Sequence, residues 1–185
     1  MDDIVKQAMQ KWPNVPDCYG WLGLDARGDW YMRDDQAQEK GLFSSGVPGS
    51  KGVRLTHDKL IAFIGRNYAP DPHGCWYFQN GPQRVYVELE TAPWIYRIQN
   101  DGAVHTHTGY VTEHQQTFVD EQGWLYLLTP LGLGLVHSQD VAVAAQHIET
   151  GGWFVQNVSR SALSQRFGFV PSPQRAHPTT PRRRI

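Results

Sequence analysis

A four-residue pattern recurs along the chain and constrains its fold more than any other feature: an acidic residue, two variable residues and a glycine, followed by an aromatic-rich segment. Copies begin at Asp25, Asp71 and Asp120, and a degenerate copy begins at Glu149. Aspartate at the first position of a type I turn bonds to the backbone two residues on, and glycine at the last position accepts the positive φ that starts a returning strand. Each copy therefore predicts the tip of a β-hairpin.

Helical segments are predicted between these hairpins. Apolar residues recur at intervals of three and four over 56–68, with Thr56 as candidate N-cap, and again over 138–148, with Ser138 as candidate N-cap. Another amphipathic segment covers residues 3–11. The chain thus has the order strand–helix–strand twice, and an internal duplication is the most economical explanation.

We therefore predict an α+β fold of two related β-rich modules, each a bent antiparallel sheet with one packed helix. The first module covers residues 21–112 and the second covers 113–170, after an N-terminal helix and lead-in at 1–20. Residues 171–185 are rich in proline and arginine, a composition typical of a disordered tail. A cleft between the modules is the default place for a ligand.

Composition narrows the classes of partner. The chain has 17 basic and 18 acidic residues and a formal net charge of −1, which does not favour nucleic-acid binding. No apolar run approaches the ~18 residues of a membrane helix, so no membrane partner is expected. The acidic first four residues do not resemble a signal peptide. Cys18 and Cys75 form no Cys-x-x-Cys pair, so a structural zinc site built on thiolates is not expected. Since no export signal is visible, we expect a cytoplasmic protein with reduced thiols.

Three histidines, His105, His107 and His114, are candidates for a metal site. The first two have strand spacing, which places both imidazoles on one face. Three imidazoles around an open coordination position would suit a metal-dependent hydrolase. Glu113 is the one nearby acid, and no familiar metal or nucleophile signature is complete. We therefore expect no cofactor and no catalytic residue, with histidines on a solvent-facing hairpin rim as the simpler interpretation.

Arginines near the first predicted helix suggest an anion site. Arg54 precedes Thr56, where free N–H groups and the helix dipole favour anions. Together with Arg66 and Arg84, it is predicted to converge on a phosphate or carboxylate. The Gly/Ser loop at 41–52 lacks the spacing of a phosphate loop, so an NTPase is not expected. The alternative interpretation of these arginines is a solvated basic rim.

Several segments carry a resemblance to a known family: Leu24–Tyr31, Leu60–Phe63, Gly74–Tyr77, Pro82–Val85 and Val87–Trp94. In the last of them, Glu90 is followed by Ala92, Pro93 and Trp94, which fits a family pattern of an acid, Ala-Pro and an aromatic. On these motifs, residues 21–98 resemble a bacterial family of uncharacterised proteins, a domain of unknown function built from duplicated β-rich motifs.

The resemblance implies a C-terminal half similar to a pleckstrin-homology fold, a nucleotide-like ligand in the cleft between the two halves, and a link to signalling. The family motifs point to Trp30, Trp76 and Trp94 as an aromatic wall of that cleft. We therefore predict a non-catalytic binding module for a small anionic ligand. The alternatives are the metal-dependent hydrolase and a protein-interaction adapter that uses exposed sheet edges or aromatics.

Overall fold

A computed structural model describes residues 1–177 of the chain. Within this range the first half forms a six-stranded sheet in the order β3-β2-β1-β6-β5-β4. Its strands are β1 (Cys18–Leu24), β2 (Trp30–Met32), β3 (Val53–Arg54), β4 (Tyr68–Pro70), β5 (Trp76–Asn80) and β6 (Gln83–Leu89). Strands β1 and β6 pair in parallel at the centre, and the other pairs are antiparallel.

The second half forms a seven-stranded sheet in the order β13-β10-β11-β12-β7-β8-β9. Its strands are β7 (Trp94–Ile98), β8 (Val104–Thr106), β9 (Val111–Thr112), β10 (Gln116–Val119), β11 (Leu125–Thr129), β12 (Gly132–Val136) and β13 (Val155–Asn157). Strands β7 and β12 again pair in parallel at the centre, and β13 adds a second parallel pair on β10. The α+β class with two related β-rich modules is confirmed, with sheets that mix antiparallel and parallel pairs.

Strands β7 to β12 of the second sheet repeat the order of β1 to β6 in the first sheet. Strand β7 takes the place of β1, and β12 takes the place of β6. In each unit, two three-stranded meanders lie side by side, and the first strand of one pairs with the last strand of the other. The repeat therefore runs from 18–89 to 94–136. The sequence boundary at residue 112 is wrong, because β7, β8 and β9 belong to the second sheet. Local turn signals mark where hairpins lie but do not say which hairpins share a sheet.

The second sheet must curl on itself. Strands β9 and β10 lie five positions apart in the sheet, a span of ~24 Å if it were flat. Only residues 113–115 connect them, and a chain of that length reaches at most ~14 Å. The two ends of this sheet therefore approach each other, which matches the predicted bending.

The helices are α1 (Asp3–Lys11), α2 (Asp35–Lys40), α3 (Asp58–Arg66), α4 (Val141–Glu149), α5 (Leu163–Phe167) and α6 (Pro173–Ala176). Helix α1 has the predicted bounds. Helix α3 begins after His57, whose Nδ1 accepts the N–H of Leu60, so His57 rather than Thr56 caps it. A 3₁₀ turn at 138–140, capped by His137, leads into α4. Glu149 is the last residue of α4, so the fourth copy of the pattern is a helix end and not a hairpin.

The predicted disordered tail is partly structured. The Leu89 N–H donates to the carbonyl of Pro171 at 2.8 Å, and α6 packs on β1 and β6. Glu88, 2% exposed, accepts bonds from the hydroxyl of Ser172 and the N–H of Gln174. A buried carboxylate needs such partners, so it fixes the segment in place. Residues 178–185, the rest of the predicted tail, lie outside the described part of the chain.

Candidate functional site

The three predicted anion-binding arginines do not converge. Arg54 on β3 and Arg84 on β6 are three strands apart in the first sheet, roughly 14 Å. Arg54 pairs with Asp29, and Arg66 pairs with Asp2 at the end of the molecule that holds α1. Arg84 lies over the ring of Tyr77 with its guanidinium carbon 5.0 Å from the centroid. These arginines occupy three separate positions on the first half, and each has a different partner.

The three predicted tryptophans do come together, but in the core. Trp76 and Trp94 have ring centroids 5.0 Å apart, and Tyr68 contacts Trp30, Trp76 and Trp94 at 5.2, 4.7 and 5.4 Å. All three tryptophans are at most 7% exposed. Because Trp94 comes from the second sheet and the others from the first, this cluster joins the two halves. It is part of the buried core and not a wall open to a ligand.

His107 fits against this cluster from the second half. Its ring centroid lies 5.5 Å from that of Trp30 and 5.7 Å from that of Trp94. Its Nδ1 accepts the N–H of Ile95, which leaves the proton on Nε2, and Nε2 is buried with no partner among the described residues. Burial lowers the pKa of His107 to about 3. His107 is therefore a neutral imidazole at physiological pH.

The three candidate histidines do not form one cluster. His105 and His107 line the same cavity, in keeping with their predicted common face. His114 lies elsewhere, stacked on Trp153 at 4.2 Å, with His147 on the same ring at 4.7 Å. Within residues 1–177 there is no group of three or more His, Cys, Asp or Glu side chains that could hold a metal. The predicted three-histidine site is not assembled, because the bend after β9 carries His114 away.

A cavity of about 380 Å³ lies between the two halves, where the β1–β2 turn meets the second sheet. We call it the junction cavity. Its lining is Arg27, Gly28, Ile95, Arg97, Gln99, His105, Thr106, His107, Gly109 and His137. Two guanidinium groups and three imidazoles face this space, and no lining residue carries a carboxylate. The positive charge of this lining therefore comes from its two arginines, and Asp140 neutralises that of Arg97.

The first Asp turn delivers Arg27 to this cavity. The Asp25 carboxylate accepts the N–H groups of Arg27 and Asp29 at 2.8 and 2.9 Å, which fixes the turn. Glu90 accepts the N–H of Ala26 at 2.8 Å and anchors the turn to the start of the second half. Gly28 has φ +82°, and a Cβ there would lie 2.8 Å from the Cβ of His107. Only glycine allows the turn to approach the second sheet this closely.

The two arginines that line the junction cavity differ in their partners. Arg97 on β7 pairs with Asp140 at 2.5 Å, and Asp140 also accepts the N–H of Ile98. Burial opposes ionisation of Asp140, yet Arg97 and this N–H overcome it and lower its pKa. The Arg27 guanidinium, in contrast, has no hydrogen-bond or ion-pair partner in residues 1–177. A charged fork without a partner at a cavity wall is available to an anion.

His137 adds a hydrogen-bond donor to the lining of the junction cavity. Its Nδ1 accepts the N–H of Gln139 at 3.2 Å, so its Nε2 is the nitrogen that is left to meet a ligand. Burial, Arg97 and Arg27 lower the pKa of His137, and Asp140 and Asp29 raise it by less. A bound anion would favour the protonated ring, so anion binding and His137 protonation are expected to strengthen each other.

Comparison with known proteins places the chain in a family. A family model named DUF2944 and described as "Protein of unknown function (DUF2946)" matches residues 1–174. The chain belongs to this family. No curated protein matches the chain. The crystal structure of a DUF1285 family protein from Silicibacter pomeroyi DSS-3 is similar over 72% of both chains, with 10% identity and a TM-score of 0.47.

Two further features of the DUF2944 family protein concern its helices and its cysteines. Helices long and apolar enough to cross a membrane do not occur in residues 1–177. Cys18 and Cys75 are both free thiols, and burial raises the pKa of the Cys75 thiol to about 11. Burial thus disfavours the reactive thiolate form of Cys75.

Sequence reasoning missed Arg27, Arg97 and His137. Arg27 occupies a variable position inside the first Asp turn, and the pattern treats that position as interchangeable. The signal that could have found it is the turn itself, because a basic residue on a tight tip is exposed to whatever the tip meets. That the tip meets β7 and β12 of the other sheet is a tertiary fact, which no local spacing encodes.

Proposed function

We propose that this protein is a non-catalytic binding module and that its ligand is a small anion held in the junction cavity by Arg27 and Arg97. The observation that carries the proposal is the exposed Arg27 guanidinium, which has no partner in residues 1–177 and lines a cavity whose described lining has two arginines, three histidines and no carboxylate. Guanidinium groups bind carboxylates and phosphates through two parallel N–H bonds.

The size and position of the cavity support a small ligand. A volume of about 380 Å³ falls in the range of small-molecule sites. Both halves contribute to its walls, with Arg27 from the first and Arg97 and His137 from the second. An anion bridging them would bind only when the halves are correctly opposed, which is a property that a sensor can use.

The lining chemistry supports binding more than catalysis. No serine, cysteine, aspartate or glutamate lines the junction cavity. The hydroxyl of Thr106 already bonds to that of Thr108 and accepts the N–H of Tyr110. His107 is held neutral. The arginines and the Nε2 of His137 remain as donors, which suits recognition of a negative charge.

The earlier resemblance extends the proposal to a nucleotide-like ligand and a role in signalling in the cytoplasm. The free thiols Cys18 and Cys75 support a reducing compartment. In this proposal, filling the cavity changes how strongly the two halves are held together. Fractionation of cells that express the full chain would test the location, and recovery with exported proteins would contradict it.

Isothermal titration calorimetry with sodium sulfate at pH 7 and low ionic strength tests the anion site. Sulfate does not change its charge in this range, so its binding reports the protein alone. We expect the Arg27→Gln variant to weaken sulfate binding about tenfold or more, because a hydrogen bond to a charged group contributes roughly 1.5–3 kcal/mol. Folding should be preserved, since Arg27 has no partner to lose.

Arg84→Gln is the matched control, because it removes an arginine that lies over Tyr77 and away from the junction cavity. Its sulfate affinity should stay within about twofold of wild type. Absence of sulfate binding to the wild type, or equal losses in the two variants, would show that the junction cavity is not the anion site.

A further inference from the structure

A second cavity lies on the other side of the β1–β2 turn. Its volume is about 310 Å³, and we call it the apolar cavity. It is lined by Ala26, Arg27, Gly123, Trp124, Leu125, Leu135, Val136, Ser138 and Val141. Six of these nine residues are apolar, and the only charged one is Arg27. The proposed function does not use this space.

The two cavities share their boundary. Ala26 lines the apolar cavity and Gly28 lines the junction cavity, and Arg27 between them lines both. On the second sheet, Val136 lines the apolar cavity and the next residue, His137, lines the junction cavity. A molecule whose charge is bound by Arg27 therefore has an apolar space directly beside that charge.

The walls of the apolar cavity are firmly held. Leu125 and Leu135 are buried on adjacent strands, β11 and β12. The ring of Trp124 lies 4.1 Å from the guanidinium carbon of Arg160, which in turn pairs with the buried Asp120. Val141, the first residue of α4, remains 38% exposed at the rim. A rigid apolar wall with an open rim suits a ligand body better than water.

We infer that the ligand of this site is an amphiphilic anion, with its charged head in the junction cavity and an aliphatic or aromatic body in the apolar cavity. The inference rests on the proposed function, because the head is the anion that Arg27 binds. The apolar cavity then supplies selectivity among anions, since removing a body from water contributes affinity that a bare anion lacks.

Three probes with the same singly charged head test this inference: methyl sulfate, hexyl sulfate and phenyl sulfate. Full burial of one methylene contributes about fourfold in affinity. Hexyl sulfate has five more methylenes than methyl sulfate, and with about half of that added surface buried we expect it to bind about thirtyfold or more tightly to the wild-type chain. A larger gain for phenyl sulfate than for hexyl sulfate would assign an aromatic body, and the reverse an aliphatic one.

Two variants test whether the body of the ligand lies in the apolar cavity. Trp124→Ala and Val141→Asn should each reduce the ratio of hexyl sulfate to methyl sulfate affinity about fivefold or more and leave methyl sulfate binding within about twofold. Val141→Asn lies at an exposed helix start, so it reports even if Trp124→Ala does not fold. Phe154→Ala removes an 81% exposed aromatic that lines neither cavity and is the control.

The outcomes separate the two claims. If methyl sulfate binds through Arg27 but hexyl sulfate and phenyl sulfate bind no more tightly, the inference is overturned and the proposed function stands. The inference is also overturned if the gain persists undiminished in Trp124→Ala and Val141→Asn. If no sulfate binds and Arg27→Gln changes nothing, the proposed function fails, and the inference fails with it.

Discussion

The two halves of the molecule have the same strand order, and their registers also agree. Pairing equates Leu22 with Tyr96, because each lies opposite the last residue of the next strand, Met32 or Thr106. It equates Asp71 with Asp120, the first residues of matching hairpin turns. The two halves therefore share a six-strand unit whose pairing registers match at these positions. The turn at Asp25 corresponds to the turn that begins at Gln99, where the acid is missing.

The halves differ in their connections. Between the second and third strands, the first half has a long segment with α2 and the Gly/Ser loop, whereas the second half has a tight turn at 106–110. Between the third and fourth strands, the first half has α3 and the second has only residues 113–115. The strands, whose positions are fixed by their pairing register, are alike in the two halves. The loops, which make few contacts, differ.

One buried position shows what this divergence does. Arg33 and His107 are equivalent, since each follows the second strand of its unit and donates its N–H to the first strand, at Trp21 or Ile95. Arg33 is fully buried, and its guanidinium donates to the carbonyls of Gly20, Gly41 and Ser50. The long connection supplies two of those carbonyls. The short turn in the second half offers none, and the position there holds a neutral imidazole.

The largest effect is expected from a variant that removes contact between the two halves. Trp94 is 5% exposed, contacts Trp76 and Tyr68, and donates its indole N–H to the carbonyl of Leu131. We expect Trp94→Ala to lower the free energy of unfolding by about 4 kcal/mol. Urea unfolding followed by both circular dichroism and tryptophan fluorescence measures it.

If the halves form one cooperative unit, the two probes should still report a single transition in Trp94→Ala. Trp12→Ala, which removes an indole that is 51% exposed, is the control and should change stability by less than about 0.5 kcal/mol. Two separate transitions in the wild type would contradict the view that the aromatic cluster joins the halves.

The second effect distinguishes the two equivalent turns. Asp120 accepts the N–H groups of Gln122 and Trp124, the hydroxyl of Tyr126 and the guanidinium of Arg160. Burial raises its pKa, but these donors overcome burial and lower it. We expect Asp120→Ala to cost about 3 kcal/mol, because it removes the turn bonds and strands Arg160.

Asp71 is the matched residue in the first half. It holds the equivalent turn bonds, to His73 and Cys75, and accepts the Tyr86 hydroxyl, but among residues 1–177 it has no basic partner. Asp71→Ala should therefore cost about 1 kcal/mol, which is the loss of the turn alone. Equal losses measured by urea unfolding would mean that the ion pair with Arg160 adds nothing to the second half.

Sequence was sufficient for features that local chemistry decides. The hairpins at Asp25, Asp71 and Asp120 are confirmed because a short side chain and a glycine three residues on define the turn without help. Helix α1 and the helical character of 58–66 follow from apolar spacing in the same way. The resemblance predicted that Trp30, Trp76 and Trp94 lie together, but it did not predict that they are buried.

Sequence failed where the answer depends on distant pairing. The module boundary at 112 requires knowing that β7 pairs with β12, some forty residues away. The sequence predicted that Arg54, Arg66 and Arg84 converge on an anion near the start of a helix, whereas strand order separates Arg54 from Arg84. Arg27 reaches the junction cavity only because its turn meets the other sheet. Register and sheet order are set by the whole core, so no local window contains them.

The smallest effect is a pH dependence that follows from the equivalent position of Arg33 and His107. Although His107 as a residue is only partly buried, its Nε2 is inaccessible, and burial lowers its pKa to about 3, whereas an unfolded histidine titrates near 6.5. Between those values the unfolded chain binds a proton that the folded chain does not. Stability should therefore be fully present above pH 6.5 and fall as pH decreases, by at most about 1.4 kcal/mol per pH unit from this residue.

The His107→Asn variant isolates this contribution, because an asparagine can still accept the N–H of Ile95 but does not titrate. Urea unfolding at pH 7, 6 and 5 should show a shallower loss of stability in the variant than in the wild type. Other histidines with lowered pKa values, His114 and His137, contribute equally to both proteins and cancel in the comparison. If the two slopes coincide, His107 gains a proton without unfolding, and the turn at 106–110 must open to water where the long connection around Arg33 stays closed.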